Sequence, residues 1–163
     1  MTRPAGTYAI FDTSQGNIVI RLLEKEAPKA VGNFIGLAEG TKEFTDEMSG
    51  KKQKKNYYDG LTFHRVVAGF VVQGGDPLGN GTGGPAYKLQ DETNPSQWPR
   101  GTAGMASSQA GVSGSQFFIT LGDAPSLATS GVYNHFGQVT SGMDVIDKIQ
   151  VGDKMTSIDI AAS

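Results

Sequence analysis

Apolar and polar residues alternate over several short stretches of the chain, and each stretch is bounded by glycine or another turn-forming residue. A period of two is typical of half-buried β-strands, so the pattern predicts a protein built mainly from short strands. The first two stretches flank Ser14-Gln15-Gly16, which indicates a β-hairpin with glycine in the turn. The predicted strands cover residues 8–13, 17–22, 61–67, 70–73, 101–106, 116–120, 135–139 and 156–161.

Two stretches have helical spacing instead, and the first begins at Pro28, a favoured first-turn residue, and ends at Gly40. Its apolar stripe consists of Val31, Phe34, Ile35 and Ala38. The second begins with Ser141 and Asp144, which resemble a capping box, and ends near Gly152. Its apolar positions are Val145, Ile146 and Ile149. So few helices among so many strands predict a closed β-barrel with helical caps over its ends.

The composition narrows the classes of protein that fit. At 163 residues the chain is expected to form a single domain over residues 1–163. It contains no cysteine and two histidines, so we expect no zinc site, no other metal and no cofactor. The net charge of −2, with both signs interspersed, provides no field that attracts nucleic acid. Since the sequence shows no export signal and no stretch of membrane-spanning length, we expect a cytoplasmic monomer without membrane contact.

Two segments each have a functional and a purely structural interpretation. Segment 42–56 is rich in lysine, but its acidic and polar neighbours favour a solvated surface loop over a patch for nucleic acid or membrane. The run Gly79-Asn80-Gly81-Thr82-Gly83-Gly84 matches a dinucleotide-binding fingerprint in its letters only, because Pro85 follows where that motif requires a helix. We therefore expect a loop whose backbone approaches another group closely.

A polar pair interrupts two otherwise apolar strands. Arg65 and Gln73 lie on the predicted strands 61–67 and 70–73, and Gly69 predicts a turn that brings their side chains together. Phe70 and Phe118 would then supply an apolar floor beside the guanidinium. On the pattern alone, ordinary core packing is favoured for the phenylalanines, and a structural ion pair is an equal alternative for Arg65.

Four blocks of the sequence form a specific motif set when they are taken in order. They are Phe63-His64-Arg65 through Gln73-Gly74-Gly75-Asp76, Asn80-Gly81-Thr82-Gly83-Gly84, Met105-Ala106 through Gly114-Ser115-Gln116-Phe117-Phe118-Ile119, and Phe136-Gly137. Together they resemble the cyclophilin family of peptidyl-prolyl cis-trans isomerases, in particular its bacterial cytoplasmic type, over nearly the whole chain from Tyr8. The resemblance implies an eight-stranded antiparallel barrel capped by two helices, which agrees with the predicted elements.

The resemblance also implies an enzyme that accelerates rotation about X-Pro peptide bonds and assists protein folding. Arg65 would stabilise the twisted amide, while Gln73 would orient the arginine and contact the substrate backbone. The implied catalytic residues are Arg65, Gln73 and Phe70. The residues implied to hold the proline ring are Phe70, Val71, Phe118 and Leu127. Those implied at the rim and along the groove are His64, Gly81, Thr82, Ala106, Ser107, Ser108, Gln109, Gln116 and Tyr133.

Some alternatives stay open at this point. The resemblance favours a functional role for Arg65, but a satisfied core histidine remains the preferred interpretation of His64, since bond rotation needs no acid or base. Ser126 stands where many eukaryotic cyclophilins carry tryptophan, so we expect at most weak cyclosporin binding. The expected partners are proline-containing peptides and unfolded or partly folded proteins. A proline-peptide binding module without turnover is the alternative function, although a binder could hold proline without the arginine.

Overall fold

The computed structural model describes residues 6–92, 97–108, 111–130 and 133–162, without the side chain of Ser130. Gln109, which the resemblance places along the groove, lies outside the described residues. The helices are α1 (Pro28–Glu39), α2 (Leu127–Ser130) and α3 (Met143–Ile146). The strands are β1 (Thr7–Thr13), β2 (Gly16–Leu22), β3 (Phe44–Thr45), β4 (Lys52–Gln53), β5 (Phe63–Val67), β6 (Val71–Gly74), β7 (Lys88–Leu89), β8 (Thr102–Ser108), β9 (Gly111–Thr120), β10 (His135–Ser141) and β11 (Met155–Ala162).

The main sheet is antiparallel and follows the order β11-β1-β2-β10-β8-β9-β6-β5, with β7 paired to β9 beside this path. These eight strands correspond to the eight predicted from alternation, and that prediction is confirmed. The turn between β1 and β2 ends at Gly16, as expected for the first hairpin. The protein is therefore mainly β, and its longest strand, β9, extends further towards the N-terminus than the predicted strand 116–120.

The prediction of a closed barrel is wrong, because the sheet curls but stays open between β11 and β5. The two edge strands meet through one isolated bridge, Thr62 to Lys154, and through neighbouring backbone hydrogen bonds such as Phe63 N–H to the carbonyl of Asp153 at 2.9 Å. The strands β5 and β11 are antiparallel and meet at their starting residues, so they extend in opposite directions from that point. Their contact therefore stays limited to these few residues. Beyond Phe63, β5 pairs with β6 alone among the described strands.

Helix α1 matches the first predicted helix and covers the core. It begins at Pro28 and is terminated by Gly40, whose φ of 80° is the left-handed conformation that favours glycine. Its buried stripe packs Phe34 against the rings of Phe11, Tyr58, Phe117 and Phe136. This cluster of rings forms the centre of the main core beneath the sheet.

The second predicted helix is much shorter than expected. Helix α3 covers four residues, and its N-cap is Gly142 without a side-chain cap, so the predicted capping box at Ser141 is wrong. Gly142 is required there because a Cβ would lie 2.6 Å from the carbonyl oxygen of Asn17. Ile146 and Ile149 are nevertheless buried, as predicted. In the described ranges, no helix combines the length and the apolar composition that crossing a membrane requires.

The segment predicted as a plain surface loop, residues 42–56, contains the small hairpin of β3 and β4. Phe44 is buried and packs edge-on against Tyr57 at 4.7 Å between ring centroids. Asp46 closes the turn, since its carboxylate accepts hydrogen bonds from the Ser49 hydroxyl at 2.8 Å and the Ser49 backbone N–H at 3.2 Å. The lysine-rich segment is thus an ordered hairpin anchored by one aromatic residue.

The N-terminus of α1 is capped from a distant part of the chain by Glu92. Its carboxylate accepts the backbone N–H groups of Lys29 at 3.0 Å and Ala30 at 2.9 Å. Because these donors have no partner within the helix and the helix N-terminus favours negative charge, we expect Glu92→Ala to lower the free energy of unfolding by about 1 kcal/mol. Urea unfolding followed by circular dichroism measures the change. Glu24→Ala, an exposed carboxylate just before the helix, is the control, and equal losses in both variants would contradict the cap.

Candidate active site

A cavity of about 230 Å³ opens on the outer face of the sheet where β5, β6, β8 and β9 lie side by side. Its wall combines one cation, one amide and several apolar side chains. The lining residues are Arg65, Phe70, Val71, Gln73, Ala106, Ser107, Phe118, Ser126, Leu127 and Tyr133. Nine of these ten residues were predicted from the sequence. The structure brings them together from β5, β6, β8, β9 and α2 and from the loops between elements.

Arg65 and Gln73 are cross-strand neighbours on β5 and β6. The tight turn between the strands contains Gly69 at a φ of 73°, as the sequence indicated, and Phe70 N–H donates to the Val67 carbonyl at 2.9 Å. Arg65 Nη1 donates to Gln73 Oε1 at 3.3 Å, and the arginine side chain is otherwise exposed to solvent. The guanidinium is therefore held at the cavity while most of its donors stay free for a ligand.

The hydrogen-bond chain continues from Gln73 into the loop that follows β6. Gln73 Nε2 donates to Gln116 Oε1 at 3.1 Å. Gln116 Nε2 in turn donates to the carbonyls of Gly81 at 3.0 Å and Gly83 at 2.9 Å. Two glutamine amides thus connect the guanidinium of Arg65 to backbone carbonyls on the far side of the site.

The apolar part of the cavity is a cluster of its own, separate from the main core. Phe118 follows Phe117 on β9, and since side chains alternate across a strand, Phe117 points into the main core while Phe118 points to the cavity. Trp98 supports Phe118 from behind, with ring centroids 5.5 Å apart. Val71, Ala124 and Leu127 are the other buried members of this second cluster. Ordinary main-core packing, the plainer interpretation of Phe118, is therefore wrong.

A second, smaller cavity of about 110 Å³ adjoins the first and shares Gln73, Ala106 and Ser107 with it. It contains most of the remaining predicted residues. Those found there are Gly81, Thr82, Ser108 and Gln116. Every predicted site residue among those described, except His64, therefore lines one of two adjoining cavities.

Sequence reasoning missed several residues that line the two cavities. Ser126 and Gly83 could have been found as direct neighbours of Leu127 and Thr82. Lys88 and Ser113 could not, because they are brought together by the pairing of β7 with β9, and no pattern indicated a strand as short as β7.

His64 lies beside the site without lining either cavity. It is half-buried, and its Nδ1 has no hydrogen-bond partner among the described residues, so the expectation of a satisfied core histidine is wrong. Burial lowers its pKa because the imidazolium loses hydration; the nearby Asp76 carboxylate opposes this shift, and Arg65 adds to it. The lowered pKa favours the neutral imidazole, so Arg65 is the main positive charge at this part of the site.

Asp76 organises the glycine-rich loop that reaches Gln116. Its buried carboxylate accepts the backbone N–H groups of Leu78 at 2.8 Å, Asn80 at 3.0 Å and Gly81 at 2.5 Å. Burial alone raises the pKa of Asp76, but these backbone donors outweigh burial and leave the pKa lowered. The loop wraps around a fixed carboxylate, as expected for a backbone that approaches another group closely, and no helix follows it.

No assembled metal centre accompanies these residues within the described ranges, where no three histidine or acidic side chains are grouped suitably for an ion. The chemistry that the cavity offers is an exposed, oriented guanidinium beside an apolar surface. Such a site can bind a small apolar ring and direct hydrogen-bond donors at one side of it.

Comparison with known proteins places this geometry in a family. The model of "Cyclophilin type peptidyl-prolyl cis-trans isomerase/CLD" matches residues 8–161. Peptidyl-prolyl cis-trans isomerase B of Streptomyces anulatus is 46% identical over 147 residues, covering 87% of this chain and 82% of that protein. A peptidyl-prolyl cis-trans isomerase of Helicobacter pylori is 42% identical over 160 residues, covering 96% of this chain and 88% of that protein.

A solved structure agrees. A cyclophilin type peptidyl-prolyl cis-trans isomerase of Cryptosporidium parvum, crystallised in the presence of the dipeptide Ala-Pro, has a TM-score of 0.75 and 29% identity. The similarity covers 96% of this chain and 99% of that one.

A curled antiparallel sheet with an arginine beside an apolar cavity defines a cyclophilin-like protein. The chain belongs to the cyclophilin type peptidyl-prolyl cis-trans isomerase family. The predicted family and the predicted enzyme class, peptidyl-prolyl cis-trans isomerase, are both confirmed.

Proposed function

We propose that this enzyme isomerises X-Pro bonds by using Arg65 to stabilise the twisted amide over an apolar proline pocket. The uncatalysed barrier of about 18–20 kcal/mol reflects the loss of amide resonance. In the twisted state the proline nitrogen gains a lone pair, so a donor directed at it binds that state more tightly than either planar isomer. No nucleophile, metal or cofactor is needed.

One observation carries the proposal: the Arg65 guanidinium is oriented by Gln73 at 3.3 Å on the wall of the apolar cavity. A free arginine side chain would have to be ordered in the transition state, at a cost in rotamer entropy. The contact with Gln73 reduces that cost in advance. The exposed remainder of the guanidinium then faces the space that a bound proline would occupy.

We place the proline ring against Phe118, Leu127 and Val71, which are the buried members of the cavity wall. The catalytic group comprises Arg65 and Gln73 with Phe70, which lines the same cavity from the turn after β5. Ala106, Ser107 and Tyr133 border the ring, and the backbone of Ser107 holds the peptide on one side of the bond.

The smaller cavity takes the substrate residues that precede proline. Gln116, Thr82, Gly81 and Ser108 are among the residues that line it, and glycine and serine contribute little side chain. A shallow surface of this kind reads the peptide backbone more than its side chains, so many sequences before proline would be accepted. His64 lines neither cavity but lies beside the loop, with its Nε2 3.8 Å from the position that a Cβ on Gly81 would occupy.

Permissive binding fits clients that are proline-containing segments of unfolded or partly folded proteins, so assistance to protein folding is the proposed role. The Cryptosporidium parvum relative was crystallised in the presence of Ala-Pro, and we transfer proline-peptide binding to this chain on that basis. Ser126 lines the cavity at the position where a tryptophan is frequent in eukaryotic members, so cyclosporin should bind weakly.

The test is the cis-trans exchange rate of an Ala-Pro-Phe peptide, measured by magnetisation-transfer NMR with and without catalytic amounts of the protein. Unassisted exchange takes tens to hundreds of seconds, so exchange within one second in its presence is the expected result. Peptide binding seen by chemical-shift changes without faster exchange would instead identify a proline-recognition module, and would overturn the catalytic role of Arg65.

A further inference from the structure

The peptide unit between Gly83 and Gly84 has hydrogen-bond partners on both of its sides. Its carbonyl accepts from Gln116 Nε2 at 2.9 Å. Its N–H donates to Glu47 Oε1 at 2.6 Å. Glu47 lies in the turn of the hairpin formed by β3 and β4, well away from the cavity that contains Arg65. One peptide plane therefore joins a surface hairpin to the glutamine chain of the active site.

This peptide plane needs an external restraint because both flanking residues are glycine. Without a Cβ on either side, rotation of the plane meets little steric resistance. Asp76 holds the loop through backbone N–H groups as far along the chain as Gly83, whereas the Gly84 N–H, on the far side of the plane, donates to Glu47. Glu47 supplies that restraint, and its charge strengthens the hydrogen bond.

This plane and the Gly81 carbonyl together set which way the two glutamine amides face, since Gln116 Nε2 donates to both carbonyls. A carbonyl can only accept, so Gln116 must present its NH₂ group to the loop and its oxygen to Gln73. Gln73 then presents its NH₂ group to Gln116 and its oxygen to Arg65, where the guanidinium needs an acceptor. If the plane turned, a donor would face Gln116, and the amide order that holds Arg65 would weaken.

The hairpin is well placed to apply this restraint. Thr45 N–H donates to the Pro85 carbonyl at 3.3 Å, so the hairpin also contacts the loop just after the peptide plane. The closed turn at Asp46 keeps the neighbouring Glu47 in place. Glu47 and Gly84 both line two further cavities, of about 370 and 290 Å³.

We propose that Glu47 is a positioning residue for the isomerase reaction, acting on Arg65 through the Gly83–Gly84 peptide, Gln116 and Gln73. This inference rests on the proposed function of Arg65. Four hydrogen bonds separate the Glu47 carboxylate from the guanidinium, and each depends on the direction of the one before it. The surface hairpin thereby takes part in catalysis without touching the substrate.

The experiment compares Glu47→Ala, Glu47→Gln and Glu43→Ala with the unchanged protein. Glu47→Ala is expected to lower kcat by about three- to ten-fold, the effect of losing one hydrogen bond of ordinary net strength, because the contact is exposed to solvent. KM is expected to stay unchanged, because Glu47 lies outside the proline cavity. Glu47→Gln keeps an acceptor oxygen and is expected to retain most of kcat. Glu43→Ala removes the same charge next to the same hairpin, where Glu43 lies 3.8 Å from Lys52 across it, and is expected to leave kcat unchanged.

A structural readout separates positioning from loss of fold. The side-chain NH₂ signals of Gln73 and Gln116 in ¹⁵N-labelled protein are expected to shift in Glu47→Ala and not in Glu43→Ala. Unchanged kcat and unchanged amide signals in Glu47→Ala would overturn the inference, as would an equal loss of kcat in Glu43→Ala. If the unchanged protein and Glu47→Ala accelerate exchange equally, the positioning role of Glu47 is wrong and the proposed function stands. If the unchanged protein does not accelerate exchange at all, the proposed function itself is wrong.

Discussion

Replacing Arg65 with alanine is expected to lower kcat/KM for an Ala-Pro peptide by about 10²- to 10³-fold, the usual effect of removing one oriented donor from a transition state. The loss should fall on kcat, because the cavity wall that holds the ring remains. Val71, Phe118 and Leu127 keep their contacts when the guanidinium is absent. Magnetisation-transfer NMR measures exchange, and chemical-shift titration of the same peptide measures binding.

Arg65→Lys provides the matched control for charge. Lysine keeps the positive charge but lacks the planar fork that can donate to Gln73 and to a substrate at once. We expect it to recover only a small part of the activity. Catalysis at a similar rate by the alanine variant would remove Arg65 from the mechanism, and full activity of the lysine variant would reduce its role to charge alone.

Phe117→Ala is expected to cause the largest loss of stability, about 3–5 kcal/mol, because a fully buried ring leaves a cavity in a packed core. Few positions concentrate as many aromatic contacts. The rings within 6.4 Å of Phe117 are those of Phe11, Phe34, Tyr58, Phe63 and Phe136. Urea unfolding followed by tryptophan fluorescence measures the change, and Phe117→Leu should recover a substantial part of the loss.

Phe118→Ala is the matched control for Phe117→Ala, since it also removes a phenylalanine ring, at the next position of β9. Its ring belongs to the cavity cluster, which is open to solvent on one side, so its loss of stability should be smaller than that of Phe117→Ala. Peptide affinity should instead fall markedly in Phe118→Ala. Equal effects of the two variants on stability would contradict the separation of core and cavity clusters.

The strands of the main sheet could be predicted because alternation depends only on which face of each strand is buried. The same alternation places Phe117 and Phe118 on opposite faces of β9, and the sequence assigned Phe118 to the cavity, as the structure has it. The strands β3, β4 and β7 have two residues each, too few to establish any period, and they were missed. The buried Phe44 was the available signal for the hairpin of β3 and β4.

Features that depend on long-range geometry could not be read from local pattern. Strand count alone does not reveal whether the first and last strands meet along their length or only at their starting residues, and this decides between a closed and an open sheet. The start of α3 depends on how closely Gly142 approaches Asn17, more than one hundred positions away in the chain. The hydrogen bond from Gly84 to Glu47 likewise links segments that carry no common motif.

The residues of the active site were predicted better than their connections. Arg65, Gln73 and Phe118 were found through a motif set, and the cavity brings them together. The order of the amide chain was not predictable, because it depends on which carbonyls of the glycine-rich loop face Gln116. Residue types follow from the sequence, whereas hydrogen-bond direction follows from the folded backbone.

The open edge of β5 has a consequence for solubility. Unpaired strand edges invite pairing with a second chain, and charged side chains on them oppose it. Arg65 is the only charged residue between Asp59 and Asp76, in a stretch otherwise composed of apolar residues, glycine and uncharged polar residues. Val67, at the end of the strand, is already 36% exposed. We therefore expect Arg65, besides acting on the substrate amide, to oppose the pairing of β5 with an edge strand of a second chain.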